Sequence, residues 1–232
     1  MNPDPAVKLE RVSRSFAGAR RPARGRTGLE RLGSRGRGVK GLGELSAEVV
    51  RGQIAALVGH NGSGKTTALR IVATLVRPSS GRALVFGRDV VTEPAFVRRM
   101  IGVSLGAGRS FYWRLSALQN LTFFARLRGL RRAQASDEIA RLAAELDVER
   151  YLLRSVRGLS RGTLARLSVA RALLGDPALL VLDEPFASVD GRSRELMWRA
   201  LERRARAGRA VILATHDDEV RQMCSPVVEL ST

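Results

Sequence analysis

Residues 59–67 read GHNGSGKTT, which fits the pattern G-x-x-x-x-G-K-[ST]. Glycine at 62 and 64 permits backbone conformations and a close approach that a side chain would block, so successive N–H groups can surround an anion. Lys65 supplies a cation for the outer phosphates of a nucleotide, and the Thr66 hydroxyl is a ligand for Mg²⁺. The expected phosphate contacts are therefore Gly59, His60, Asn61, Gly62, Ser63, Gly64, Lys65, Thr66 and Thr67, with His60 at a position whose side chain the chemistry leaves unconstrained. A phosphate cradle only binds. Hydrolysis also needs a metal anchor and a group that orients water, and residues 178–185 (ALLVLDEP) offer both: Asp183 to hold Mg²⁺ and Glu184 to polarise the attacking water.

The surrounding sequence supplies elements to position these groups. Residues 53–58 (QIAALV) form a short apolar run that enters the glycine-rich turn, and in the following KTTALRIVATLV the residues Leu69, Val72, Ala73 and Val76 follow helical spacing. The runs ALLVL (178–182) and AVILA (210–214) are apolar throughout, as strands buried on both faces of a parallel sheet are. Helical periodicity precedes the first of these runs at 164–174 and lies between the two at 192–207. Nearer the N-terminus, VKLERVS (7–13) and GELSAEV (43–49) alternate apolar and polar residues, as half-buried strands do. From about 116 to 151 the pattern is helical only. These features predict an α/β fold: a P-loop NTPase core with a largely parallel sheet, an N-terminal antiparallel β part and an inserted helical subdomain at about 105–160.

The chain has 232 residues, 44% of them hydrophobic and 27% charged, which suits one globular domain over 1–232 and excludes collagenous and wholly disordered classes. Its one cysteine, Cys224, has no partner for an internal disulfide and reads as structural; the N-terminus has no apolar signal region, and no stretch approaches a membrane span. Any membrane role is therefore expected to come through a partner. The net charge of +18 raises the question of nucleic acid, but only Lys8, Lys40 and Lys65 among the forty basic residues are lysines. Such a bias reads as genomic codon composition, and nucleic acid is not expected as a partner. Residues 17–38 hold seven arginines and six glycines without periodicity and read as a flexible insertion.

With these motifs in order, the chain resembles the ATPase subunits of ABC transporters over nearly its whole length outside 17–38. LSRGT (159–163), at the head of the helix leading to DEP, resembles the signature motif LSGGQ: Ser160 and Gly162 match, whereas Arg161 and Thr163 depart. The resemblance implies that Ser160 and Gly162 contact the γ-phosphate held by an opposite subunit. Ser188, Val189 and Asp190 resemble the D-loop, and Thr215 with His216 the switch-histidine segment, where the histidine meets the γ-phosphate. It further implies ATP and Mg²⁺ as cofactors; Lys65, Glu184 and His216 as the catalytic set; and Thr66 and Asp183 on the metal. Phe16 then stands where an aromatic stacks on adenine, and Trp113 and Arg114 lie where a coupling helix docks. A glutamine is expected near Leu105, Gly106 and Ala107 but is missing, with Gln119 too far along to replace it. The segment RSFYWRLSALQNLTFFARLRGL (109–130) resembles the ATPases of bacterial drug, antibiotic or polysaccharide exporters, which implies export. Implied partners are a second ATPase subunit, as a homodimer, and an integral membrane permease, placing the chain on the cytoplasmic face of the cell membrane. Two other classes stay open: a soluble ATPase acting on nucleic acid or ribosomes, and a non-hydrolysing partner subunit. The sequence stops at SPVVELST, just after an expected strand.

Overall fold

The computed structural model describes residues 5–16, 39–106, 111–187 and 189–230. The arginine- and glycine-rich run 17–38, Ala107 and Ser188, singled out above, lie outside the described residues.

Apolar runs that lack alternation must be covered on both faces, and the structure places them in the middle of a five-stranded parallel sheet. Its order is β6 (Ile101–Leu105), β7 (Leu179–Asp183), β8 (Ala210–Thr215), β3 (Ile54–Val58) and β9 (Val227–Glu229). Successive side chains point to opposite faces. Leu179 and Val181 therefore enter one hydrophobic cluster, while Leu180 and Leu182 enter another on the far side. The first cluster joins this sheet to α1 (Lys65–Val72) and to an antiparallel sheet of order β2 (Val39–Val49), β1 (Val7–Phe16), β4 (Ser80–Val85) and β5 (Arg88–Asp89). After β5 comes the short helix α2 (Pro94–Met100), which leads into β6. The second cluster joins the parallel sheet to the helical part, made of α3 (Ala117–Leu127), α4 (Arg132–Glu145), α5 (Arg161–Leu173) and α6 (Gly191–Arg206). A last short helix, α7 (Asp218–Met223), precedes β9.

Register fixes where the chemistry can sit. Leu105 of β6 pairs with Asp183 of β7, Asp183 with Ala214 of β8, and Val58 of β3 with Thr215 of β8. The carboxyl ends of all four strands thus lie along one edge, and the loops that leave them converge there. Two elements differ from expectation. Helix α1 stops at Val72 because Thr74 adopts a left-handed backbone (φ 62°), although Ala73 stays buried. Strand β2 begins at Val39, four residues earlier than the alternation indicates, and carries Gly41 inside a strand. Among the described residues, no helix is long and apolar enough to cross a membrane.

Candidate functional site

Gly64 turns the chain into α1 with φ 104°, and a Cβ there would lie 2.8 Å from Gly41 O and from Leu42 Cδ1. Only glycine fits this left-handed turn against β2. The unpaired N–H groups of α1's first turn therefore open onto a cavity of about 290 Å³ lined by Gly41, Asn61, Gly62, Gly64, Lys65, Thr66, Thr67, Asp183 and Glu184. Lys65 is 7% exposed, and its Nζ donates to Gly59 O at 2.6 Å and His60 O at 3.2 Å. The ammonium is thus pinned across the loop by backbone carbonyls. Ser63 is buried beneath the loop, and the exposed His60 lines a neighbouring cavity together with His216.

Asp183 ends β7, and Thr66 Oγ1 donates to its Oδ2 at 2.9 Å across 117 residues of sequence. These hard oxygens suit Mg²⁺, which typically takes one or two carboxylates and completes its shell with water and phosphate. Among the described residues, no group of three or more His, Cys, Asp or Glu could cage a metal alone, so an ion here would depend on the phosphates. Glu184 follows in a left-handed conformation (φ 49°), its N–H donating to Ala214 O at 3.0 Å. That costs of order 1–3 kcal/mol for a residue with a side chain and aims the carboxylate off the strand end. There Glu184 Oε1 lies 2.9 Å from Nδ1 of His216, which leaves β8 immediately after the buried Thr215. A carboxylate that can accept a proton from water is therefore oriented by an imidazole.

Ser160 and Asp190 are helix caps. Ser160 Oγ accepts from Thr163 N at 3.2 Å at the head of α5, and Asp190 Oδ1 accepts from Ser193 N at 2.9 Å at the head of α6. A second bond, from Ser193 Oγ to Asp190 Oδ2 at 2.8 Å, helps hold the Asp190 carboxyl below its usual range, and the charge of Arg166 adds to this. A Cβ on Gly162 would lie 3.4 Å from Asp190 Oδ2, so the two caps are neighbours. None of Ser160, Gly162 and Asp190 lines the phosphate-loop cavity. The Phe16 ring packs so closely on Gly41 that a Cβ there would lie 2.2 Å from it, and the Arg14 guanidinium lies over the ring, 4.8 Å from its centroid. This brings the ring, 37% exposed, beside the cavity through a glycine that lines it.

The profile of the ABC transporter family matches residues 42–187, from β2 to just beyond Glu184. The chain belongs to this family. It is 34% identical over 191 residues to the ABC transporter ATP-binding protein NatA of Bacillus subtilis, covering 82% of this chain and 78% of that one. It is 36% identical over 182 residues to the Nod factor export ATP-binding protein I of Cupriavidus metallidurans, covering 78% of this chain and 60% of that one. The doxorubicin resistance ATP-binding protein DrrA of Mycobacterium tuberculosis is 38% identical over 174 residues, 75% of this chain and 52% of that one. The cassette thus spans little more than half the length of these last two relatives. A dimeric ATP-binding cassette in a post-hydrolysis state with ADP and phosphate superposes with a TM-score of 0.81 at 22% identity, covering 97% of this chain and 94% of that one.

The departures of this ABC cassette from the family pattern have defined local structures. Strand β6 ends at Leu105, followed by Gly106 at φ 82°, so no glutamine leaves the strand at this point. Gln119 is occupied in a capping box: its Oε1 accepts from Ser116 N at 2.9 Å while its own N–H donates to Ser116 Oγ at 3.1 Å. In the altered signature Arg161 is exposed and Thr163 is 2% exposed, with its hydroxyl 2.9 Å from Ser160 Oγ. The aromatic triplet divides. Phe111 is buried against Phe124, whereas Tyr112 and Trp113 are 51% and 46% exposed. Phe124, on which the Tyr112 ring stacks at 6.4 Å, also lines a groove of about 340 Å³ between α3 and β6, with Leu75, Leu127, Arg98, Arg128 and Arg171. Cys224 is buried. Sequence reading missed Gly41 as part of the cavity, although a glycine inside a strand signals a close approach. It also missed Asp217, which caps α7 directly after His216.

Proposed function

We propose that the chain is the ATP-binding and ATP-hydrolysing subunit of an exporter, acting as a head-to-tail homodimer on a separate membrane permease. The observation that carries this reading is the single cavity in which Lys65, Thr66, Asp183 and Glu184 meet at the carboxyl edge of the parallel sheet. Gly59, Asn61, Gly62, Gly64 and Thr67 shape the phosphate cradle, and Ser63 supports it from beneath. Lys65 binds the outer phosphates; Thr66 and Asp183 hold Mg²⁺, which would neutralise phosphate charge when bound. Glu184, oriented by His216, accepts the proton of the attacking water, and Phe16 stacks on the base. In the closed dimer, Ser160 and Gly162 of one copy face the phosphates held by the other. The export named in one relative and the drug resistance named in another support the direction of transport. The groove lined by Leu75, Phe124 and Leu127, together with the exposed Trp113 and Arg114, supplies a place for the permease, which would hold the subunit on the inner face of the membrane.

The test is the molar mass of Glu184→Gln by light scattering, with and without Mg-ATP. Removing the carboxylate that takes the proton should trap the closed state, so an ATP-dependent doubling that Lys65→Ala abolishes is the expected outcome. ATP binding without any change of mass would overturn the homodimer reading and direct attention to a different second subunit.

A further inference from the structure

We propose that Arg194 is a positioning residue for hydrolysis, holding the segment that carries His216 against the helix capped by Asp190. The proposal rests on the ATPase reading above. His216 has little to hold it by burial: its side chain is 64% exposed and meets Glu184. The helix that follows, α7, has six residues, too few to be stable alone. Val220 anchors this helix in the core, and the turn that carries His216 into it is set by Asp217. Its Oδ1 accepts from Glu219 N at 3.0 Å and Val220 N at 3.3 Å to cap α7, and its own N–H donates to Thr215 Oγ1 at 3.0 Å. The remaining oxygen, Oδ2, accepts from Arg194 Nη2 at 2.7 Å, while Arg194 Nη1 donates to Glu219 Oε2.

Arg194 is well placed for this. It stands in the first turn of α6, where its backbone N–H donates to Asp190 O at 2.9 Å. A planar fork of N–H donors can serve two carboxylates at once, which a lysine ammonium on its flexible stem cannot do with the same geometry. The other charged groups around the cavity beside His216 are Asp218, Arg221 and Glu229, and the last two pair with each other. Arg194 is thus a polar link from α6 to the His216 segment. Because Asp190 at the head of α6 also neighbours Gly162, the same helix adjoins the signature turn and, through Arg194, holds the residue that follows His216.

The full-length chain is compared with Arg194→Met, Arg194→Lys, Asp217→Asn and the Met/Asn double variant. Asn caps a helix as Asp does, so Asp217→Asn removes the charged partner while sparing the cap. Three quantities are read: kcat and KM for ATP, melting temperature, and the imidazole carbon–proton resonance of His216, easily assigned because the chain has two histidines. A positioning role predicts that Arg194→Met and Asp217→Asn each lower kcat about tenfold or more with KM within about twofold. The double variant should be no worse than either single one, Arg194→Lys should fall between, and the His216 resonance should move in each. Unchanged kcat in Arg194→Met, multiplicative losses in the double variant, or a His216 resonance that stays put while the melting temperature falls would each overturn it. Absence of turnover in the wild type would instead sink the ATPase reading, and the His216 resonance would still decide the positioning role.

Discussion

Cys224 is 7% exposed, and loss of solvation pushes its thiol up to about 12. At pH 8 only about one molecule in ten thousand carries the nucleophilic thiolate, so a thiol-reactive disulfide should label the native protein far more slowly than the urea-unfolded one. Fast labelling of the native protein would show that the segment after α7 opens readily. Burial of this kind was legible for an apolar or sulfur-bearing residue but not for arginine. In a chain of net charge +18 an arginine reads as a solvated surface group, yet Arg166 is 6% exposed and donates to Leu146 O at 2.9 Å and Asp147 O at 2.6 Å. The phosphate loop was legible for the opposite reason. Its demands are local: left-handed turns at Gly62 and Gly64, a cation at Lys65 and a hydroxyl at Thr66, all within five residues. The partners that Arg166 satisfies lie about twenty residues away and leave no trace in local spacing.

Between elements, the same difficulty governs the packing of α4 on α6. Glu145, at the end of α4 with a side chain 7% exposed, accepts from Arg204 of α6 at 2.6 and 3.0 Å and pairs with Arg203 at 2.8 Å and Arg141 at 3.2 Å. Burial pushes its carboxyl upward, but the Arg204 bonds and the charges of Arg204, Arg203 and Arg141 outweigh it and hold the group below the ordinary range. Because the folded value is the lower one, the stabilisation is fully present above the unfolded value and is lost as pH falls through the folded value. Glu145→Gln should therefore destabilise the protein by about 3 kcal/mol at pH 7 by leaving arginines unpaired. Its melting temperature should also fall less steeply than the wild type's below about pH 4.5. Parallel acid limbs in the two proteins would mean that Glu145 is not held in its charged form. The strands themselves were readable where hydrophobicity alone decides, as in 178–182 and 210–214, and less so where a special contact does. Gly41 weakens the strand signal at the start of β2, yet it is the residue against which Phe16 packs.

For the molecule as a whole, the decisive feature is that the two sets of predicted nucleotide contacts do not meet within one copy. Lys65, Thr66, Asp183 and Glu184 line one cavity, whereas Ser160, Gly162 and Asp190 gather at the heads of α5 and α6 outside it. In the proposed homodimer a γ-phosphate touched by both sets would lie between two copies, each lending one set to each of two sites. This arrangement has a stoichiometric consequence. Lys65→Ala should inactivate both sites of its own homodimer, and Gly162→Asp, which sets a carboxylate where phosphate is expected, should do the same in its own. Mixed in equal amounts and allowed to exchange, half of the dimers carry one copy of each variant, and each of those retains one site with neither defect. If the sites act independently, the mixture should recover about a quarter of wild-type ATP turnover from two inactive preparations. A mixture that stays inactive while exchange is verified would mean that both sites must be intact for either to turn over. In that case coupling through each copy would have a route in α6, whose cap Asp190 neighbours Gly162 and whose Arg194 holds Asp217, the residue after His216.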